Sequence, residues 1–234
     1  MHGLNWFALL SNQVNEHNIH IITMIFVMIA LIGLAFIARK SILATEQSLV
    51  PSGKVSSGNI FELIIENLVE LMESVIGHGA RKHFPLIGTL FIFVFFSNLL
   101  GLIPGFLPPT SNINTNIACG LLVFLYFNYM GIKEHGLINY LKHFAGPLWW
   151  LAPLIFAIEL FGTCIRPITL ALRLFCNINA DHLVLGIFSG LVPLIIPVVF
   201  MILGIFISFV QAFVFTLLST IYISLATAHE DDHH

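Results

Sequence analysis

The stretch that decides the fold runs Arg166-Pro-Ile-Thr-Leu-Ala-Leu-Arg173-Leu-Phe-Cys-Asn177-Ile-Asn-Ala-Asp181-His182-Leu183. Its surroundings are almost purely apolar: between Pro147 and Ala228 the only acidic or basic residues, histidine aside, are Glu159, Arg166, Arg173 and Asp181. Two long helices fit this sequence, Leu151–Phe188 and Leu191–Ala226, joined near Ser189-Gly190. At 1.5 Å per residue each approaches about 55 Å, against roughly 30 Å of bilayer hydrocarbon. Helices that long must tilt, bend or leave the membrane, and Pro153, Pro167, Pro193 and Pro197 offer bends. The expectation is a tilted helical hairpin over residues 147–228. A guanidinium placed inside it keeps its charge and costs on the order of several kcal/mol at membrane depth, so Arg173 reads first as functional.

Composition agrees. The chain is 58% hydrophobic and 9% charged, whereas a soluble domain carries about 25% charged residues. This is the composition of an all-α integral membrane protein. A formal net charge of −3 argues against a nucleic-acid partner. Cys119, Cys164 and Cys176 lie in apolar runs without CxxC pairing and read as small packing residues. Residues 1–20 contain neither Lys nor Arg, so they do not begin as a signal peptide does.

Upstream, residues 21–38 form a first span, and two more fall within 84–132, at Phe84–Phe106 and Ile113–Ile132. Residues 59–76 differ. Glu62, Glu66, Glu70 and Glu73 recur at helical spacing, opposite Phe61, Ile64, Ile65, Leu68, Met72 and Val75. That is an amphipathic helix lying on the membrane surface or against a partner. The expected architecture is therefore five membrane-embedded helices plus one surface helix, in a single membrane domain. Arg39, Lys40, Lys54, Arg81 and Lys82 fall between the first two spans, and Lys133 and Lys142 follow the third. Basic residues favour the cytoplasmic side, which puts the N-terminal residues 1–20 outside and the C-terminus inside.

Glu159, Thr163, Arg166, Leu170, Arg173 and Asn177 are spaced by threes and fours, so they share one helical face. Asp181 and His182 follow within two turns. On the second long helix Gln211 is the main polar group, with Ser208, Thr216, Ser219 and Tyr222 around it. Such a stripe suits a lined path for ions or water; the competing reading is interhelical hydrogen bonding that only holds the bundle together. For Thr163, Ser208 and Thr216 the second reading is preferred. No HExxH or phosphate-cradling glycine loop occurs, which predicts no resident metal, no cofactor and no ATP site in this chain. The terminal His229-Glu-Asp-Asp-His-His234 reads as a solvated tail, and no serine has a nucleophile context.

The segment Arg166–Leu183 resembles the signature of subunit a, the stator channel of F-type ATP synthases. Gln211-Ala-Phe-Val-Phe-Thr-Leu-Leu-Ser-Thr-Ile-Tyr222 is similar to that family's final helix, and Phe96-Ser-Asn98-Leu-Leu-Gly101-Leu-Ile-Pro104 with Pro108-Pro109-Thr110 to an earlier motif. The resemblance covers about Asn59 to Ala226. It implies two long inclined helices set against a rotor ring of small proteolipids. Arg173 would then be the essential arginine facing the ring carboxylate, with Glu159, Asn177, His182 and Gln211 along the proton path; Asp181, a departure from the family pattern, is added to that path as a titratable group beside His182. Implied partners are the ring, peripheral-stalk subunits, indirectly the soluble ATPase sector, and the bilayer; the implied location is the bacterial cytoplasmic (inner) membrane. The chain would perform no catalytic chemistry alone.

Two positions depart from the family pattern. Asp181 stands where the family often has glycine, and the aspartate is a variant resembling the photosynthetic branch. Gly204 stands where some bacterial members carry a histidine that interacts with an acid at the His182 position, so that pair is absent here. An imidazole, with an ordinary pKa of about 6.5, suits His182 to proton relay, and packing is the competing role. The alternative function for the whole chain is a stand-alone secondary transporter or channel, which predicts internal repeats; none is visible.

Overall fold

The computed structural model describes residues 19–45, 57–77, 79–103, 106–137, 139–140, 150–191 and 195–227. The expected external segment before Ile19, Lys54, Pro104, Lys142 and the acidic, histidine-rich tail lie outside the described residues. The described chain forms α1 (Ile19–Thr45), α2 (Ser57–Ile76), α3 (Ala80–Gly101), α4 (Ile113–His135), α5 (Ala152–Leu191) and α6 (Ile195–Thr227), with one 3-10 turn at Pro109–Ser111. Four helical stretches are long and apolar enough to cross a membrane: Ala80–Gly101, Ile113–His135, Pro153–Phe188 and Val198–Thr227. Helix α1 adds a shorter apolar stretch, Ile21–Phe36. The protein is an all-α integral membrane protein. Helix is the physically required answer, because lipid offers no partner for backbone amides and carbonyls.

The chain divides into two compact units, Met1–Pro109 and Thr110–His234. In the first, α1, α2 and α3 pack on one another. Among the α1 residues whose burial is described, a narrow seam is buried, at Thr23 and Val27, while Ile21, Ile25, Ile29, Ile32 and Phe36 face outward. A helix apolar on every side belongs in lipid. Helix α2 keeps its two faces: Leu68 and Met72 are buried, and Glu66, Glu70 and Glu73 are exposed. It stops at Gly77, whose φ of 79°, followed by 120° at Gly79, is a conformation that residues with a Cβ rarely adopt. Across this turn Arg81 Nε donates to Glu73 Oε1 at 2.9 Å. Helix α3 ends at Gly101, short of the Phe106 expected for its span. Pro104 explains the difference, since it has no amide donor and disfavours helix in the residue before it.

In the second unit α4 packs against both α5 and α6. Its buried seam is Asn116, Gly120, Val123, Phe127 and Met130, with spacings of four, three, four and three. That is the stripe two helices need to interlock. The seam is anchored at its start, where Asn112 caps the helix by accepting from Asn114 N at 2.9 Å and Asn116 Nδ2 donates to the Thr110 carbonyl at 2.8 Å. At Gly120 the neighbour comes very close: a Cβ there would lie 2.6 Å from the Pro167 carbonyl oxygen.

Helix α5 spans 40 residues and α6 spans 33, about 60 and 50 Å at the standard rise. Pro167 sits inside α5, so the Thr163 carbonyl has no helical amide to accept from. The junction was expected near Ser189-Gly190, but α5 continues to Leu191. Small polar residues do not stop a helix by themselves; Pro193 immediately downstream is the stronger signal. Pro197 falls in the first turn of α6, where an amide donor has no intrahelical partner to lose.

Candidate functional site

The polar stripe of α5 does occupy one side of the helix, but that side is not uniform. Taking Thr163 as zero and about 100° per residue, Leu170 lies near −20°, Asn177 and Glu159 near −40°, Arg166 near −60° and Arg173 near −80°. The packed seam runs through Thr163, Leu170, Ala171, Leu174 and Ile178, all buried. The charged members therefore line the flank of the seam. Glu159 and Arg173 are exposed, and Arg166 and Asn177 are half-buried.

Arg166 and Arg173 share that flank but have different surroundings. Arg166 Nη2 is 3.7 Å from Glu159 Oε1, and its guanidinium carbon stands 5.1 Å from the centre of the Tyr222 ring on α6. That ring in turn lies 6.1 Å from the Phe127 ring of α4. Arg173, one heptad further, forms no ion pair or hydrogen bond among the described residues.

Around Arg166 the second unit has a cleft of about 220 Å³, lined by Phe127, Tyr140, Glu159, Thr163, Arg166, Leu225 and Ala226. Its polar lining leaves room for several waters. Tyr140 closes one wall: its hydroxyl donates to Asn128 Oδ1 at 3.0 Å, Asn128 Nδ2 donates to the Phe124 carbonyl at 2.7 Å, and its ring lies against Gly131. Sequence reasoning missed Tyr140 and Asn128. Neither belongs to a motif: Asn128 lies on α4, and only the chain's return after α4 brings Tyr140 to the cleft and to its bond with Asn128.

On α6 the Gln211 Oε1 is buried with no hydrogen-bond partner, which costs about 1–3 kcal/mol unless a donor arrives from elsewhere. No hydrogen bond joins Gln211 to Arg173 among the described residues. Asp181 and His182 are half-buried and, as neighbours in a helix, point about 100° apart. They do not form a pair.

Two expectations need correction. The hydroxyls of Thr163 and Thr216 were read as interhelical bonds, yet they donate to Glu159 O and Ala212 O of their own helices, both at 2.8 Å. In an apolar span the carbonyl one turn back is the nearest acceptor, so no neighbouring helix is needed. Cys164 and Cys176 were read as packing residues, but both are exposed on α5. On the same scale Cys164 lies near 100° and Cys176 near −140°, both outside the arc from about −20° to 80° that carries the buried seam. Among the described residues no group of His, Cys, Asp and Glu could hold a metal ion.

The ATP synthase A chain family matches residues 21–224. ATP synthase subunit a of Bdellovibrio bacteriovorus is 42% identical over 228 residues, covering 97% of this chain and 99% of that protein. ATP synthase subunit a of Geobacter sulfurreducens is 47% identical over 205 residues, covering 87% of this chain and 86% of the relative. That of Trichlorobacter lovleyi is also 47% identical over 205 residues, covering 87% and 85%. With the match extending over the spans, the seam and the charged flank alike, this multi-pass membrane protein belongs to the ATP synthase A chain family.

Proposed function

We propose that the chain is the stator channel of a rotary ATP synthase in the bacterial cytoplasmic membrane, with its N-terminus outside and its C-terminus in the cytoplasm. It provides two aqueous half-channels and, at Arg173, the charge that drives proton exchange with a carboxylate of the rotor ring. The observation that carries this reading is the contrast on α5: Arg166 is matched within the chain, and Arg173 is exposed with no partner among the described residues. A cation kept on an apolar helix calls for an anion from outside it.

In this mechanism the ring carboxylate crosses lipid as the neutral acid, since its ionised form is opposed by desolvation. Beside Arg173 the ionised form is favoured and the proton leaves. The arginine also separates the half-channels, so a proton passes only by riding the ring, driven by about 2.3 kcal/mol per charge per 100 mV. Glu159, Asn177, Asp181, His182 and Gln211 line the route. Ring proteolipids are direct partners, peripheral-stalk subunits hold the chain still, and the soluble ATPase sector couples through the rotor.

Cys176 supplies a test without a new cysteine on this chain. It is exposed and lies one turn beyond Arg173. With Cys119 and Cys164 replaced by Ala, mild oxidation of the assembled complex should join Cys176 to a cysteine placed within one turn of the ring carboxylate. A complex that purifies without ring proteolipids, or a full scan of the ring helix that yields no cross-link, refutes the reading.

His182→Ala is expected to slow ATP-driven proton pumping several-fold and to change its pH profile, because an imidazole titrates within the working range. An unchanged profile would assign His182 to packing.

A further inference from the structure

We propose that Arg166 is a positioning residue for Glu159, held between that carboxylate and the Tyr222 ring so that the acid is aimed into the cleft beside α4 and α6. The inference rests on the function proposed above and adds a part to it.

Three observations converge. The guanidinium bridges two helices, with Glu159 of α5 at 3.7 Å and the Tyr222 ring of α6 at 5.1 Å. Both charged residues line the same cleft. The ion pair itself is long and partly open, the Glu159 side chain being 49% and the Arg166 side chain 26% exposed. Pairs of that kind add little to stability, so holding the fold together is a poor account of it. Orientation is a better one. A planar guanidinium lies flat over an aromatic face while its edge meets a carboxylate, a geometry that an ammonium, as a point charge, reproduces only in part.

Among the described residues no other charged side chain lines the cleft. Helix α4 contributes Phe127 to the lining, α6 contributes Leu225 and Ala226, and the Tyr140 hydroxyl is engaged by Asn128. Lys133, Glu134 and His135 lie at the end of α4 and do not line it. The opposite charges of Glu159 and Arg166 also offset one another at two turns' separation. The cluster thus enters the span without a net charge, and Arg173 remains the cation available to an outside acid. The two arginines of the stripe then have separate duties: Arg166 faces inward to its own chain and Arg173 outward.

The test is ATP-driven proton pumping in membrane vesicles, normalised to the amount of assembled complex. Arg166→Gln and Glu159→Gln should each reduce the initial rate about tenfold, and the double variant should be no slower than Glu159→Gln alone, as expected when one residue acts through the other. Arg166→Lys should recover to within about threefold of the parent, keeping the charge and losing the stack. Should Arg166→Gln fail to assemble, Tyr222 replaces it as the probe. Tyr222→Leu should slow pumping more than Tyr222→Phe, which keeps the ring face, and the difference should vanish when Glu159→Gln is also present. A double variant whose loss is the product of the single losses overturns the proposal, as does an equal effect of Leu and Phe at Tyr222. Arg173→Ala in parallel separates the two levels. If it pumps normally, the proposed function itself fails; if it is inactive while Arg166 and Glu159 act additively, only the positioning role is lost.

Discussion

Vesicles carrying Arg173→Ala are expected to lose ATP-driven proton pumping by at least about a hundredfold, roughly 2.7 kcal/mol of barrier, while still containing the assembled complex. The change removes a cation from the exposed flank of α5, where no residue of the described chain depends on it. Folding should therefore be spared and, under the proposed mechanism, exchange with the ring lost, because nothing would then favour the ionised carboxylate at the boundary between the half-channels. Arg173→Lys should also be strongly impaired. An ammonium gives up its proton more readily in an apolar setting and lacks the planar fork that holds a carboxylate in register. Neutralising Arg166 should cost about tenfold under the positioning role proposed above, in which its charge acts through Glu159 and not on the ring. Proton pumping measured by fluorescence quenching separates these outcomes, and normal pumping by Arg173→Ala would remove that residue from the mechanism.

Gly120→Val should be damaging for a different reason. A Cβ at this position would stand 2.6 Å from the Pro167 carbonyl oxygen, a backbone atom inside α5 that cannot rotate away. Helices α4 and α5 would have to separate, opening the seam that buries Val123, Phe127, Leu170 and Leu174. Overpacking of this kind costs about 1–3 kcal/mol or more, and the valine branches add to the clash. The expected result is a clear fall in the thermal midpoint of the purified subunit and in its accumulation in membranes. Gly33→Ala is the control: nothing lies within 4 Å of a Cβ there, and alanine is the better helix former. Equal melting of Gly120→Val and the parent would mean that the close approach of the two helices does not stabilise the bundle.

Much of the fold was written in local patterns. Apolar runs longer than the bilayer is thick have one solution for their backbone hydrogen bonds, so α3, α4, α5 and α6 follow from length and composition. The alternation of Glu66, Glu70 and Glu73 with Leu68 and Met72 is likewise local, and it names α2 as a two-faced helix without reference to any neighbour. Proline was the better guide to helix ends: Pro104 lies beyond α3 and Pro193 beyond α5, whereas Ser189-Gly190 ended nothing.

The site was only half legible. Spacings of three and four placed Glu159, Arg166, Arg173 and Asn177 on one side of a helix, which is a property of the helix alone. Glu159 meets Arg166 two turns along the same helix, but which arginine also gains an aromatic ring depends on the crossing of α5 with α6. That crossing brings Tyr222 under Arg166, and no spacing within either helix encodes it. The cleft is a further step removed, because Tyr140 reaches it only through the turn that follows α4 and the absence of a side chain at Gly131.

By itself, then, the sequence determined an all-helical membrane protein, its long C-terminal pair of helices, and a charged stripe on the first of them, since backbone pairing in lipid and helical periodicity act within a segment. Only the tertiary structure decided that Arg166 stacks on the Tyr222 ring of another helix while Arg173 meets no such ring among the described residues, because a stacked ring depends on distances between helices, which no periodicity within one segment sets.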